Sequence, residues 1–364
     1  MSNNFSSKIL AWYDEHKRDL PWRQTKDPYQ IWISEIILQQ TRVEQGLGYF
    51  ERFMQRFPTF HQLASAPEDD VMKLWQGLGY YSRARNLHKA AKQIQEVFPV
   101  TYKDVLALPG VGPYTAAAIC SFAYGMAYPV LDGNVYRVLG RYLAIPEAIE
   151  TSKGKRIYAQ AASELLDQKR PADYNQGIMD FGATHCTQHQ PKCDICPLQD
   201  SCASYGQRKV AEFPVKKKRP KVVDRYLYYI SVSDGVCTHI YKRSQPGIWR
   251  QLYEFPFFET DHLLSTTECL GHESVQRFLD LGDQVTYQVV VQDQKHLLSH
   301  QRLHMTCLHI TIPTELLWSE DGQNAMRGLS DNDLYKVSSQ DLLEYPYHKM
   351  MAQFADKIQK LLKP

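Results

Sequence analysis

The sequence predicts a two-part protein, an all-α region followed by a smaller α/β domain, and three observations carry the prediction. At 364 residues the chain is longer than one ordinary domain, and 43% hydrophobic against 23% charged residues is a globular balance. Short helical patterns punctuated by Gly and Pro fill the chain up to about residue 200. A proline-bounded basic run, Pro214-Val215-Lys216-Lys217-Lys218-Arg219-Pro220-Lys221, has no hydrophobic periodicity and reads as a linker, after which β-branched and aromatic segments take over.

In chain order, residues 31–39 have helical character, with Glu35 three or four places from Ile31, Trp32, Leu38 and Gln39, so its carboxyl shares a largely apolar face. Further helices are expected over 69–76, 83–98, 114–124, 135–143 and 152–169. Strands are expected over 226–232, 238–242, 285–292 and 303–312. The N-terminus lacks a basic and apolar leader, and no run of about 18 uncharged apolar residues occurs, so a cytoplasmic monomer with no membrane segment is expected. Residues 1–221 hold 29 Lys and Arg against 22 Asp and Glu, while the remainder holds 13 against 18. The basic front half suits a polyanion.

Two local patterns carry chemistry. Leu108-Pro109-Gly110-Val111-Gly112 allows a tight turn whose backbone N–H groups approach a phosphate, and Pro113 suits the first turn of a following helix. Twenty residues beyond Gly112 stands Asp132, in Val130-Leu131-Asp132-Gly133-Asn134, an acid well suited to cap the next helix. Cys186, Cys193, Cys196 and Cys202, spaced Cys-x6-Cys-x2-Cys-x5-Cys, form a soft four-ligand set that suits tetrahedral zinc or an iron–sulfur cluster alike. The remaining cysteines, Cys120, Cys237, Cys269 and Cys307, are scattered and read as small packed hydrophobes.

The hairpin, the downstream Asp and the cysteine spacing together resemble the helix-hairpin-helix DNA glycosylases of the endonuclease III superfamily over roughly residues 5–210. Three longer motifs, Leu20-Pro21-Trp22-Arg23, Trp32 to Thr41 and Gly77 to Asn86, resemble the adenine-excising MutY-type branch. That resemblance implies a helical glycosylase region in 1–213, with a six-helix barrel over about 23–135 and a cluster domain from 1–22 plus 136–213 holding a [4Fe-4S] cluster on the four cysteines. It implies a linker over 214–224 and a MutT-like (Nudix-like) lesion-recognition domain over 225–364, where Gly247 to Pro256 is the clearest segment. No acidic helix follows Pro256, so the second domain is expected to recognise rather than to hydrolyse with magnesium.

The resemblance also implies roles. Glu35 protonates adenine, a poor leaving group as an anion, with Arg23 and Tyr114 nearby; Asp132 stabilises the oxocarbenium-like state or traps it covalently, supported by Asn134. Tyr114 stands where glycosylase/lyase members carry a Schiff-base lysine, so base release without efficient strand nicking is expected. The base must be flipped out of the duplex, with Gln40 and Tyr80 as wedges, and Trp22, Thr41 and Leu78 lining the pocket or interface. Gly110 and Gly112 grip the backbone. Leu298-Ser299-His300 matches a Phe-Ser-His turn that probes 8-oxoguanine, with leucine in place of phenylalanine. The expected partner is double-stranded DNA with adenine opposite 8-oxoguanine or guanine. Competing readings are an endonuclease III-like oxidised-pyrimidine glycosylase/lyase, disfavoured by Tyr114, Glu35 and the extra domain, and a non-catalytic lesion binder, which has no need of both Glu35 and Asp132.

Overall fold

The structure is a computed structural model that describes residues 2–217, 221–327, 329 and 333–362. Two compact units are present: Met1–Ser65 with Asn86–Arg219, and Ala66–Arg85 with Pro220–Pro364.

The helices run α1 (Ser2–His16), α2 (Pro28–Leu38), α3 (Val43–Arg56), α4 (Phe60–Ser65), α5 (Glu68–Leu74), α6 (Ser82–Gln93), α7 (Tyr102–Leu106), α8 (Pro113–Tyr124), α9 (Gly133–Tyr142), α10 (Ser152–Leu165), α11 (Pro171–Thr184) and α12 (Ala203–Gly206). In the first unit, α2 starts where the Asp27 side chain accepts from the Tyr29 N–H at 2.9 Å and Pro28 takes the first helical position. Its Ile31, Trp32, Ile33, Ile36 and Ile37 are all buried, so the helix is enclosed on every side and Glu35 is enclosed with it. α8 is likewise a run of small and apolar buried residues, and α2 packs on it. Between α7 and α8, Gly110 takes φ +77°, where an added Cβ would also lie 2.7 Å from Asn86 Cβ. Gly112 then serves as N-cap with no side-chain cap, leaving the N–H groups of α8's first turn without a capping side chain. α11 packs against α1, α8 and α9, which makes it the floor on which the others converge.

The boundaries depart from the sequence reading in two places. The basic run is partly fastened to the first unit: Ile149 N–H donates to Val215 O (3.1 Å), and Lys217 N–H donates to Glu150 (3.0 Å). Lys218, Arg219 and Pro220 lie outside the described residues. Residues 66–85, expected inside the helical barrel, belong to the second unit. Its loop at 343–347 has backbone carbonyls that need donors: Lys73 supplies Leu343 and Tyr345, and Tyr81 Oη supplies Tyr347 at 3.1 Å. Asp69 completes the attachment by taking Lys242 Nζ at 2.6 Å and Tyr253 Oη at 3.1 Å.

The second unit is a mixed sheet with helices on both faces. Its strands are β1 (Val223–Ser233), β2 (Cys237–Lys242), β3 (Tyr253–Glu254), β4 (Phe257–Thr260), β5 (Thr286–Leu297), β6 (Gln301–Thr311) and β7 (Leu334–Ser338), ordered β3-β2-β1-β6-β5 with β4 on β1 and β7 on β2. β1 and β6 are parallel, and the other pairs are antiparallel. Strand period two divides the core: Leu227, Tyr229, Leu303, Met305 and Cys307 join the helix at Lys349–Gln359, while Ile230, Val232, Ile310 and Ile312 join Val275, Phe278 and Leu317 opposite. β5 and β6 close in a hairpin whose tip is Leu298-Ser299-His300. Among the described residues no helix is long and apolar enough to cross a membrane.

Candidate active site

A cavity of about 170 Å³ opens in the first unit between α2, α8, α11 and the start of α9. Glu35, Tyr114, Asp132, Asn134, Arg23, Trp22 and Thr41 all line it, so seven of the residues singled out from sequence meet at one place. Glu35 comes from the enclosed helix α2, and its Oε2 accepts from Tyr114 Oη at 2.8 Å. Burial, together with the charge of Asp132, pushes the Glu35 carboxyl up to about 7, against the opposing pull of the Tyr114 hydrogen bond and Arg23. It therefore holds its proton well above the ordinary carboxylate range.

Asp132 is the N-cap of α9. Oδ1 accepts from the Val135 N–H and Oδ2 from Asn134 Nδ2, each at 2.7 Å. Burial raises its pKa, with these hydrogen bonds and Arg137 working in the other direction. Asn134 is itself held: its Oδ1 accepts from Arg137 Nη2 at 2.7 Å, and Arg137 also donates to Gly182 O (2.7 Å) and Cys186 O (2.8 Å). Gly182 is required there, because a Cβ would lie 2.7 Å from Asn134 Cβ. A hydrogen-bonded chain thus runs from Asp132 through Asn134 and Arg137 to the cysteine loop.

Trp22 is buried as a wall of the cavity, edge-on to Phe50 at 5.2 Å. The sequence reading missed Arg18, Gln176, Met179 and Asp180. Gln176 and Asp180 are four apart on α11, and nothing in the sequence singles them out from its other polar residues Asp173, Asn175 and Thr184. Met179 Sδ lies 3.4 Å from Tyr114 Oη.

Other residues singled out from sequence stand elsewhere. Gln40 is exposed just beyond α2 with φ +56°, and Gly110 and Gly112 form the α7–α8 hairpin. Leu78, Tyr80, Leu298, Ser299 and His300 belong to the second unit. There Tyr80, 49% exposed and at φ +47° after left-handed Gly77 and Gly79, has its Oη 2.8 Å from Ser299 Oγ. Leu78 is buried. Leu298, in the hairpin tip, packs half-buried on the core, whereas Leu297 at the end of β5 is 66% exposed.

Two of the four spaced cysteines bond Arg141, which donates through Nη1 to Cys186 Sγ (3.4 Å) and Thr187 O (2.7 Å) and whose carbonyl accepts from Cys202 Sγ (3.6 Å). Burial, and then the neighbouring Cys186, Cys202 and Cys193, pushes the Cys196 thiol up to about 11. Among the described residues no group of three or more His, Cys, Asp or Glu side chains is arranged to hold a metal ion. The chemistry of the donors is nonetheless that of a soft-metal set: the thiols of Cys193 and Cys196 are both raised by burial and by their neighbouring cysteines, which places the four sulfurs in one neighbourhood.

Fold and cavity define a base-excision glycosylase class: the HhH-GPD superfamily base excision DNA repair protein family matches residues 33–166. A solved thermostable thymine-DNA glycosylase is 30% identical and superimposes with a TM-score of 0.53, covering 57% of this chain and 97% of that one. An adenine DNA glycosylase from Buchnera aphidicola subsp. Schizaphis graminum is 34% identical over 328 residues, 89% of this chain and 91% of that relative. The human adenine DNA glycosylase is 43% identical over 212 residues, 54% of this chain and 39% of the relative. The chain belongs to the adenine DNA glycosylase family.

Proposed function

We propose that this enzyme excises adenine mispaired with 8-oxoguanine or guanine in double-stranded DNA, and that it does so without efficiently nicking the strand. The observation that carries this reading is a buried Glu35 whose pKa is raised to about 7 and a capped Asp132, both lining one cavity of about 170 Å³.

The adenine nucleotide is flipped from the duplex, with Gln40 entering the gap. Glu35 delivers its proton to a ring nitrogen while Tyr114 steadies the carboxyl. The C1′–N9 bond breaks with its electron pair passing to the protonated base. Asp132 meets the cationic sugar electrostatically or by forming a bond to C1′, and water then replaces it to leave an abasic site. Because Tyr114 has no amine, no imine forms and the strand stays closed. Gly110 and Gly112 offer backbone N–H groups to a phosphate at the start of α8. Tyr80, Leu298, Ser299 and His300 read the opposite base; the Tyr80–Ser299 hydrogen bond supports their acting together. Cys186, Cys193, Cys196 and Cys202 hold a [4Fe-4S] cluster, which supplies structural closure of their loop. The second domain recognises the lesion, as its lack of a magnesium-binding acidic helix supports.

Single-turnover assays on duplexes bearing adenine opposite 8-oxoguanine, guanine or thymine test the reading. Release is expected to be fastest opposite 8-oxoguanine, with strand breaks only after alkali; breaks without alkali, or release of oxidised pyrimidines instead, overturn it. Anaerobically purified protein is expected to be brown, with absorbance near about 400 nm that chelation of iron removes. A colourless protein containing zinc sinks the cluster assignment.

A further inference from the structure

Arg23 stands within range of two carboxylates, and the structure shows it bonded to only one of them. Its Nη1 and Nη2 donate to Asp180 Oδ2 (2.5 Å) and Oδ1 (2.7 Å), and Nη1 also reaches Arg18 O at 3.3 Å. The ring of Tyr13 lies 5.8 Å from its guanidinium carbon. Arg18 joins the same acceptor, Nε to Asp180 Oδ1 at 2.9 Å. Asp180 has no solvent exposure, and the Arg23 side chain only 9%. Burial pushes the Asp180 carboxyl up, but the two arginines outweigh burial and hold it below its usual range. Asp180 is thus held in its ionised form by its two arginine partners.

We propose that Asp180 is a positioning residue: by taking both guanidiniums into its own hydrogen bonds, it keeps Arg23 off the Glu35 carboxyl, which stays bonded to Tyr114 and free to deliver its proton. The inference rests on Glu35 being the acid. Three groups face that carboxyl: Tyr114 from α8, Asp132 at the start of α9 and Arg23 from the turn before α2. Arg18 lines the same cavity, and α11 contributes only the uncharged Gln176 and Met179, with α3 contributing Val43. Of these, Arg23 is the group that would form an ion pair with Glu35 and ionise it. A bidentate partner is the means of preventing this, because a guanidinium satisfied on two N–H groups by one carboxylate has little to gain from a second.

The test is the pH dependence of single-turnover adenine release in wild type, Asp180→Asn, Asp180→Asn/Arg23→Gln and Arg23→Gln, with thermal melts and duplex affinity as folding controls. In Asp180→Asn the alkaline fall in rate is expected to move down by about one pH unit or more, since an opposite charge at short range favours the ionised acid by that amount. The rate then drops about tenfold at pH 7.5 and far less at pH 6. Adding Arg23→Gln returns the midpoint towards wild type. Arg23→Gln alone moves it little, because Asp180 already holds that charge away; this arm decides the matter even where Asp180→Asn does not fold. A rate loss equal at all pH values, or a large upward shift in Arg23→Gln alone, overturns the proposal. A wild-type profile whose alkaline limb survives in Glu35→Gln is a failure of the acid assignment itself.

Discussion

Asp132→Asn is expected to stop adenine release, lowering the single-turnover rate by at least about a thousandfold, while leaving a folded protein that still binds the mispaired duplex. The substitution is nearly isosteric and asparagine caps helices as well as aspartate does, so α9 keeps its start: the Val135 N–H still finds an oxygen. One hydrogen bond is lost. Asn134 Nδ2 now faces another amide N–H, and it cannot turn over because its Oδ1 is held by Arg137. That costs about 1 kcal/mol, offset by the removal of a buried charge. What disappears is the negative charge that meets the developing cation at C1′. Substantial turnover by this variant contradicts the role, and loss of duplex binding together with activity shows a structural role instead. Single-turnover kinetics and a binding titration separate the outcomes.

Glu35→Gln is expected to slow release by about a hundredfold to ten-thousandfold, and to make the protein more stable at neutral pH. Glutamine accepts the Tyr114 hydrogen bond as well as glutamate but has no proton to transfer. The wild-type rate is expected to be high while Glu35 is protonated and to fall as pH rises through about 7, and the variant is expected to lose that dependence. Stability moves in the opposite sense. A carboxyl raised from its ordinary 4.5 to about 7 by burial favours the folded state fully below pH 4.5, and this advantage fades as pH rises to 7. There the ionised acid in the unfolded chain accounts for a cost on the order of 3 kcal/mol. Glutamine does not titrate, so its melting temperature should exceed that of wild type at pH 8 and the gap should close towards pH 4.5. An unchanged gap across that range shows that the Glu35 pKa is not raised in the folded protein.

Much of this site could be read from local pattern. Period and capping placed α2, α8 and α9, and the Gly-x-Gly hairpin needed only the conformational freedom of Gly110 to be anticipated. The cysteine loop was visible because its ligand spacing is itself local. Burial of Glu35 was only half visible: a helix with apolar residues at every turn has no polar side to present to water, yet which neighbours enclose it is a matter of long-range packing. Asp180 and Gln176 escaped notice because α11 is chemically unremarkable in one dimension, and their meaning depends on Arg18, Arg23 and Tyr13 arriving from about 160 residues away.

The division follows from the range of the forces. Turns, caps, helical and strand periods and metal-type cysteine spacing act over a few residues, so the chain alone defines a helical DNA-handling region with a carboxylate, and a following α/β domain. Three-dimensional packing assigned the carboxylates their different natures. Burial raises the Glu35 carboxyl to about 7 beside the Tyr114 phenol. A helix N-terminus and an asparagine take up both oxygens of Asp132. Two arginines hold Asp180 ionised. Solvation and charge pairing depend on neighbours in space, and so three carboxyl groups that look alike in the sequence come to differ in charge and hydrogen bonding.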